Sequence, residues 1–206
     1  MTVDVTTRPA ATPSALPLPE GWIALAPPGD DPAVWVEEYL DGLRDQPSAH
    51  VRAELRYGLL TMMEMTEGMR PGKRYNFAFL DFPAEGIVRS LLSVQMLRVT
   101  PDAIDNYRVL LENADRRDEI QVINRRVFDL ELAAGTAVVL HDFTLSAEIE
   151  AVAEPALERA IAGLFVTGTD TMIEFALYAQ DLTVFDDIVQ YLVDIIGNFD
   201  ISGDNQ

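Results

Sequence analysis

The chain has 206 residues, with 34 aspartates and glutamates against 15 lysines and arginines, and a formal net charge of −19. This charge argues against nucleic acid and anionic membranes as partners, because both are bound by basic side chains that neutralise phosphate. The sequence contains no cysteine, which excludes disulfides, thiolate catalysis and cysteine-ligated metals.

We predict one folded domain, because 49% of the residues in the chain are hydrophobic, which is enough for a core. Residues 1–20 are rich in threonine, alanine and proline without a hydrophobic period, so we predict a disordered tail there. The domain is placed at residues 21–200, with a frayed tail at 201–206. Neither a secretory signal pattern nor an apolar run of the ~20 residues that span a bilayer is found, so a cytoplasmic protein is expected.

A short strand and two helices are predicted first. The strand begins at Gly21, and Asp30 or Asp31 is placed to cap the next helix, because Pro32 then stands at the favoured first position. The second helix follows Ser48 and ends near residue 68. Its methionine-rich segment offers Met62 and Met65 as an adaptable docking surface, although packing against a sheet is the more common role of such methionines.

From Tyr75 the hydrophobic period changes to two, which predicts an antiparallel hairpin of residues 75–80 and 87–99. Thr100 is placed to cap a third helix. Four strands follow, at about residues 120–132, 136–143, 157–167 and 171–181. Thr183 is placed to cap a final amphipathic helix that Gly197 ends.

The predicted order is therefore β-α-α-β-β-α-β-β-β-β-α. Consecutive hairpins indicate a mostly antiparallel sheet of about seven strands, and neither face of the strands reads as plainly polar. Helices are thus expected on both faces, which predicts an α+β fold of the α/β/α sandwich type.

The strand that starts with Gly21-Trp22, the central hairpins and the last strand pair leading into a C-terminal helix together resemble the PsbP-like α/β/α sandwich superfamily. The resemblance covers about residues 21–199 and rests on element order. It implies an accessory or binding protein that docks to a larger assembly or a small GTPase, with no shared catalytic residues to transfer.

Catalytic and metal-binding patterns are weak. His141 and Asp142 are adjacent in one strand and therefore point to opposite faces, so a hydrogen-bonded strand histidine is favoured over a catalytic pair. With two histidines far apart and no cysteine, a metal bound through nitrogen or sulfur is not expected. Calcium is conceivable through carboxylates, but residues 168–170 and 202–205 lack the ligand pattern of an EF-hand loop, so no metal is predicted. No phosphate-binding glycine motif is found, and no cofactor is predicted. The arginines at 116, 117, 125 and 126 are interrupted by acids and are interpreted as a solvated ion-pair surface.

Two hypotheses of different classes follow. The preferred one is a non-enzymatic interaction or accessory protein that recognises another protein through the outward row Asp187, Gln190 and Asp194 of the last helix, or through the methionine-rich second helix. The alternative is a small-ligand binding protein or hydrolase with a pocket between sheet and helices, which would use Tyr75, Arg126 or His141. A homo-oligomer is left open. The first hypothesis is preferred because the scaffold is complete but lacks every recognisable catalytic constellation. Residues 127–206, which hold Arg159 as their one lysine or arginine, give it an acidic candidate docking surface.

Overall fold

The computed structural model describes residues 17–27, 29–43, 46–67, 74–80, 86–100, 102–114, 120–146 and 156–199. In these ranges the helices and strands follow the predicted order: β1 Trp22–Ala24, α1 Pro32–Asp41, α2 Ala49–Glu67, β2 Arg74–Phe79, β3 Ser90–Arg98, α3 Ala103–Glu112, β4 Ile120–Leu132, β5 Gly135–Ser146, β6 Leu157–Val166, β7 Thr171–Ala179 and α4 Ile188–Gly197. Most of the predicted tails, at 1–16 and 201–206, lie outside the described residues, whereas Leu18 packs against the core.

The seven strands form one open sheet in the order β1-β2-β3-β7-β6-β5-β4, and all neighbours are antiparallel. Strands β3 and β7 pair at its centre, from Ser90 opposite Ala179 to Arg98 opposite Thr171. This pairing joins the N-terminal strands β1–β3 and the C-terminal strands β4–β7 into a single sheet. The predicted mostly antiparallel α+β fold is confirmed.

Helices cover both faces of the sheet, because apolar side chains alternate to both sides of its strands. On one face, Leu192 of α4 belongs to the same core cluster as Phe175 of β7. On the other face, α1 and α2 cover β1–β3 through residues such as Leu59, and α3 covers β5–β7 through Tyr107. We call these faces the α4 side and the α2–α3 side.

The predicted N-cap of α1 is confirmed, whereas the predicted N-caps of α3 and α4 are wrong. Asp31 caps α1 as predicted, and its Oδ1 accepts hydrogen bonds from the backbone N–H groups of Ala33 and Val34 at 2.9 and 3.3 Å. The predicted cap of α3 at Thr100 is wrong. The N-cap is Asp102, and the Thr100 hydroxyl donates to its side chain.

The last helix begins later than predicted. Its N-cap is Asp187, whose Oδ1 accepts from the backbone N–H of Gln190 at 2.9 Å. Thr183 instead donates both its backbone N–H and its hydroxyl to Asp181, which forms a turn before the helix. Gly197 is the last helical residue, and the C-cap is Asn198.

A bulge in β4 produces a buried charge cluster that the sequence prediction missed. Two residues, Asn124 and Arg125, face the single residue Asp142 of β5, and Asn124 has a φ of 54°. Asp142 is 0% exposed and accepts hydrogen bonds from both Arg125 and Arg159. The interpretation of Arg125 as part of a solvated surface is therefore wrong, because the bulge turns its guanidinium inward. Two other members of that cluster, at 116 and 117, lie outside the described residues.

Candidate functional site

The outward face of α4 is acidic. Asp187, Gln190 and Asp194 are all exposed, as predicted, because positions i, i+3 and i+7 share one face of a helix. Gln190 donates from Nε2 to Oδ1 of Asp194 at 2.8 Å. Asp186 is exposed immediately before the N-cap. We call these four residues the α4 surface.

An aromatic floor lies beside the α4 surface. A depression of about 370 Å³ is lined by the four residues of the α4 surface and by three aromatic residues, Phe79, Phe185 and Tyr191. The ring centroids of Phe185 and Tyr191 are 4.4 Å apart, and those of Phe79 and Phe185 are 6.0 Å apart. Trp22 donates from Nε1 to the Tyr191 hydroxyl at 2.9 Å, which fixes that ring, and burial raises the pKa of Tyr191. No sequence pattern predicted this floor, because its residues come from β2, α4 and the segment before α4.

In the part of the chain that the structure describes, no basic side chain neutralises the carboxylates of the α4 surface. Among the described residues, Asp186, Asp187 and Asp194 have no ion pair. Arg159, the one lysine or arginine after residue 126, lies on the α2–α3 side, where it binds Asp142. The field of three carboxylates is therefore free to act on a cation in solvent, screened beyond ~8–10 Å by physiological salt.

The three residues proposed for a pocket do not come together. Arg126 and His141 are cross-strand neighbours on the α4 side, and His141 Nε2 lies 2.8 Å from Glu158 Oε1. Tyr75 is also on this side, but it lies on β2, four strand spacings or ~19 Å from β5. His141 is a hydrogen-bonded strand histidine, and Asp142 points to the other face, both as predicted.

The methionine surface predicted on the second helix is wrong for Met62. This side chain is 1% exposed and packs in the core with Leu55 and Leu59. Amphipathic spacing places Met62 on the same buried stripe of α2 as those leucines. Met65 is half-buried, and its Sδ accepts a hydrogen bond from Gln180 Nε2 at 3.6 Å.

A groove of about 760 Å³ lies on the α2–α3 side. One wall is a stripe of α2 that includes Tyr57, Thr61 and Met65, and the opposite wall includes Thr144 of β5 and Leu157 of β6. None of Tyr75, Arg126 and His141 lines it. No sequence pattern predicted this groove. Its one signal in the sequence is the spacing i, i+4 and i+8 of Tyr57, Thr61 and Met65, which places them on one face of α2.

In the ranges that the structure describes, no group of three or more potential ligands is placed to hold a metal ion, and no helix is both long and apolar enough to cross a bilayer. The chain matches no protein-family model and no curated protein.

Proposed function

We propose that this protein is a non-enzymatic interaction or accessory module that docks a basic segment of another protein on its α4 surface. The observation that supports this proposal is that, within the described residues, the carboxylates of Asp186, Asp187 and Asp194 have no ion pair and surround an aromatic depression.

The chemistry of the depression suits a lysine or arginine side chain. A cation over an aromatic face is attracted to the ring quadrupole, by about 0.5–1 kcal/mol at an exposed site. The surrounding carboxylates add charge complementarity, which raises the association rate more than it raises the affinity. Asp187 is held in place by its capping bond, so part of the surface is preorganised before a partner arrives.

The PsbP-like resemblance agrees with this proposal, since that superfamily supplies accessory proteins that dock to larger assemblies. We propose that the chain belongs to this superfamily and that the protein is cytoplasmic. The sandwich with helices on both faces and a C-terminal helix after β7 supports the membership at the level of architecture alone.

The alternative hypothesis is a small-ligand binding protein or hydrolase. The groove on the α2–α3 side supports a pocket, but none of the three residues proposed for that pocket lines the groove. Tyr75 and His141 are four strand spacings apart, so they cannot act on one bound substrate. The groove supports ligand binding without supporting hydrolysis.

The test uses a triple variant, Asp186→Asn, Asp187→Ser and Asp194→Asn. Serine at 187 removes the charge and keeps a capping hydroxyl. A matched control, Glu38→Gln, Glu131→Gln and Asp170→Asn, removes the same charge from exposed positions elsewhere. Both variants and the wild type are used to capture partners from native lysate, and the dissociation constant is then measured with the purified partner.

We expect the α4 triple variant to lose at least about tenfold in affinity and the control to lose less than about twofold. The loss should shrink at high salt. Equal losses in both variants would mean that net charge alone drives binding and that the α4 surface is not the docking site.

A further inference from the structure

The groove between α2 and the sheet is elongated. Its helical wall runs from Glu54 to Met65, twelve residues whose first and last members are ~16 Å apart along the helix axis. Its volume of about 760 Å³ lies within the ~300–1,000 Å³ range of small-molecule sites. A ligand that contacts the whole of this wall must therefore extend over about the same length.

The lining of the groove is mostly apolar, and part of it is unusually exposed. Tyr57 is 72% exposed and Ile87 is 42% exposed, and both line this groove. They are two of the six large hydrophobic side chains that are exposed in the described ranges. An apolar ligand would remove both from water, which is favourable in proportion to the area covered.

Two polar side chains of the groove, Gln180 and Thr144, make only weak hydrogen bonds. Gln180 Nε2 donates to the sulfur of Met65, a weak acceptor, at 3.6 Å. The Thr144 hydroxyl donates to the Leu157 carbonyl at 3.5 Å, which is long for a hydrogen bond. Thr144 of β5 is paired with Leu157 of β6. On the other side of β6, Ala179 of β7 is paired with Glu158, so the next residue, Gln180, lies level with Leu157. The two polar groups thus lie in one row across three strands and can meet the same end of a ligand.

Charge disfavours an anionic ligand. Glu54 is the one charged residue that lines the groove among the described residues, and the chain carries a net charge of −19. A fatty-acid carboxylate would be repelled by both, whereas a neutral carbonyl group would not.

We propose that this groove binds an elongated, uncharged amphiphile, with its apolar body along Tyr57 and Ile87 and its amide head at Gln180 and Thr144. A carbonyl oxygen of the head accepts from Gln180 Nε2, which exchanges a weak sulfur acceptor for an oxygen acceptor. The site is separate from the α4 surface, on the opposite side of the sheet, and does not depend on a protein partner.

The test measures binding of N-methyldecanamide to the full chain by isothermal titration calorimetry, below the concentration at which the probe aggregates. Decanoate is the anionic comparison. Thr61→Trp fills the groove from its helical wall, and Val109→Trp places the same side chain at an exposed position of α3 as the control. Gln180→Leu removes the proposed contact with the head, and circular dichroism confirms that each variant is folded.

We expect saturable 1:1 binding of the amide to the wild type and to Val109→Trp, and at least about tenfold weaker binding of decanoate. Thr61→Trp should lose at least about tenfold and Gln180→Leu several-fold. The proposal is overturned if the wild type shows no saturable binding, if Thr61→Trp binds as well as the wild type, or if decanoate binds as tightly as the amide. The charge variants of the α4 surface should leave this binding unchanged.

Discussion

Arg125 links the buried carboxylate of Asp142 to the C-terminal end of α3. Its Nε donates to Asp142 Oδ2 at 2.8 Å, and its Nη1 donates to the backbone carbonyls of Glu112 and Ala114 at 3.3 and 2.6 Å. A cation at this end of a helix also complements the helix dipole. Arg125 therefore ties the C-terminal end of α3 to the sheet.

The first prediction concerns Asp142. The substitution Asp142→Asn leaves Arg125 and Arg159 without their carboxylate in a buried site, so we expect a loss of about 3–5 kcal/mol in the free energy of unfolding, measured by urea denaturation. Asp170→Asn is the control, because it removes an exposed carboxylate 4.0 Å from Arg98 and should cost less than about 1 kcal/mol. Equal losses in the two variants would contradict a structural role for the cluster.

A second prediction tests the packing of α3 on β6. A Cβ atom at Gly163 would overlap the ring of Tyr107, whose hydroxyl donates to Glu174 at 3.0 Å. Gly163→Ala should therefore cost about 1–3 kcal/mol in the free energy of unfolding. Gly197→Ala meets no neighbouring atom within 4 Å at the end of a helix, so it should be neutral or stabilising by up to about 1 kcal/mol. If both variants have the stability of the wild type, the close contact at Gly163 is wrong.

The third prediction concerns how stability depends on pH through the ion pairs that Glu37 of α1 makes with Arg52 and Arg56 of α2. Hydrogen bonds from Arg56 and Arg52 lower the pKa of Glu37 from 4.5 to about 2. Because the pKa of Glu37 is lower in the folded state, its stabilising effect is present above pH 4.5 and is lost as the pH falls towards 2. The melting temperature of the wild type should fall more steeply over this interval than that of Glu37→Gln.

The matched control for that measurement is Glu38→Gln, which changes the next, exposed residue of α1. Its melting temperature should follow the wild-type profile between pH 4.5 and 2. A Glu37→Gln profile parallel to that of the wild type would show that the ion pairs with Arg52 and Arg56 do not contribute to stability.

The fourth prediction separates the capping role of Asp187 from its charge. Asp187→Ala removes the acceptor for the Gln190 backbone N–H and should cost about 1 kcal/mol in the free energy of unfolding. Asp187→Ser keeps a capping oxygen and should cost less than half of that. Chemical denaturation of both variants provides the measurement. If serine is as destabilising as alanine, the docking test above requires a different substitution at this position.

Much of the fold follows from local patterns in the sequence. The sequence predicts the order of helices and strands, the antiparallel sheet and the cap at Asp31. Each of these depends on residues that are close to one another in the sequence. The outward row of Asp187, Gln190 and Asp194 is predictable for the same reason, since helical spacing places these residues on one face.

What the sequence determined by itself is therefore the order of the helices and strands, the outward row of the last helix, and the strongly acidic character of the chain. Tertiary structure alone decided that β3 pairs with β7, that Arg125 reaches Asp142, that Phe79 and Tyr191 form a floor beside α4, and that α2 and the sheet enclose a groove. Hydrophobic period gives the direction of a side chain but not its neighbour, because the neighbour comes from a distant part of the chain. A one-residue bulge also reverses the face of every side chain after it, and no local pattern revealed the bulge at Asn124.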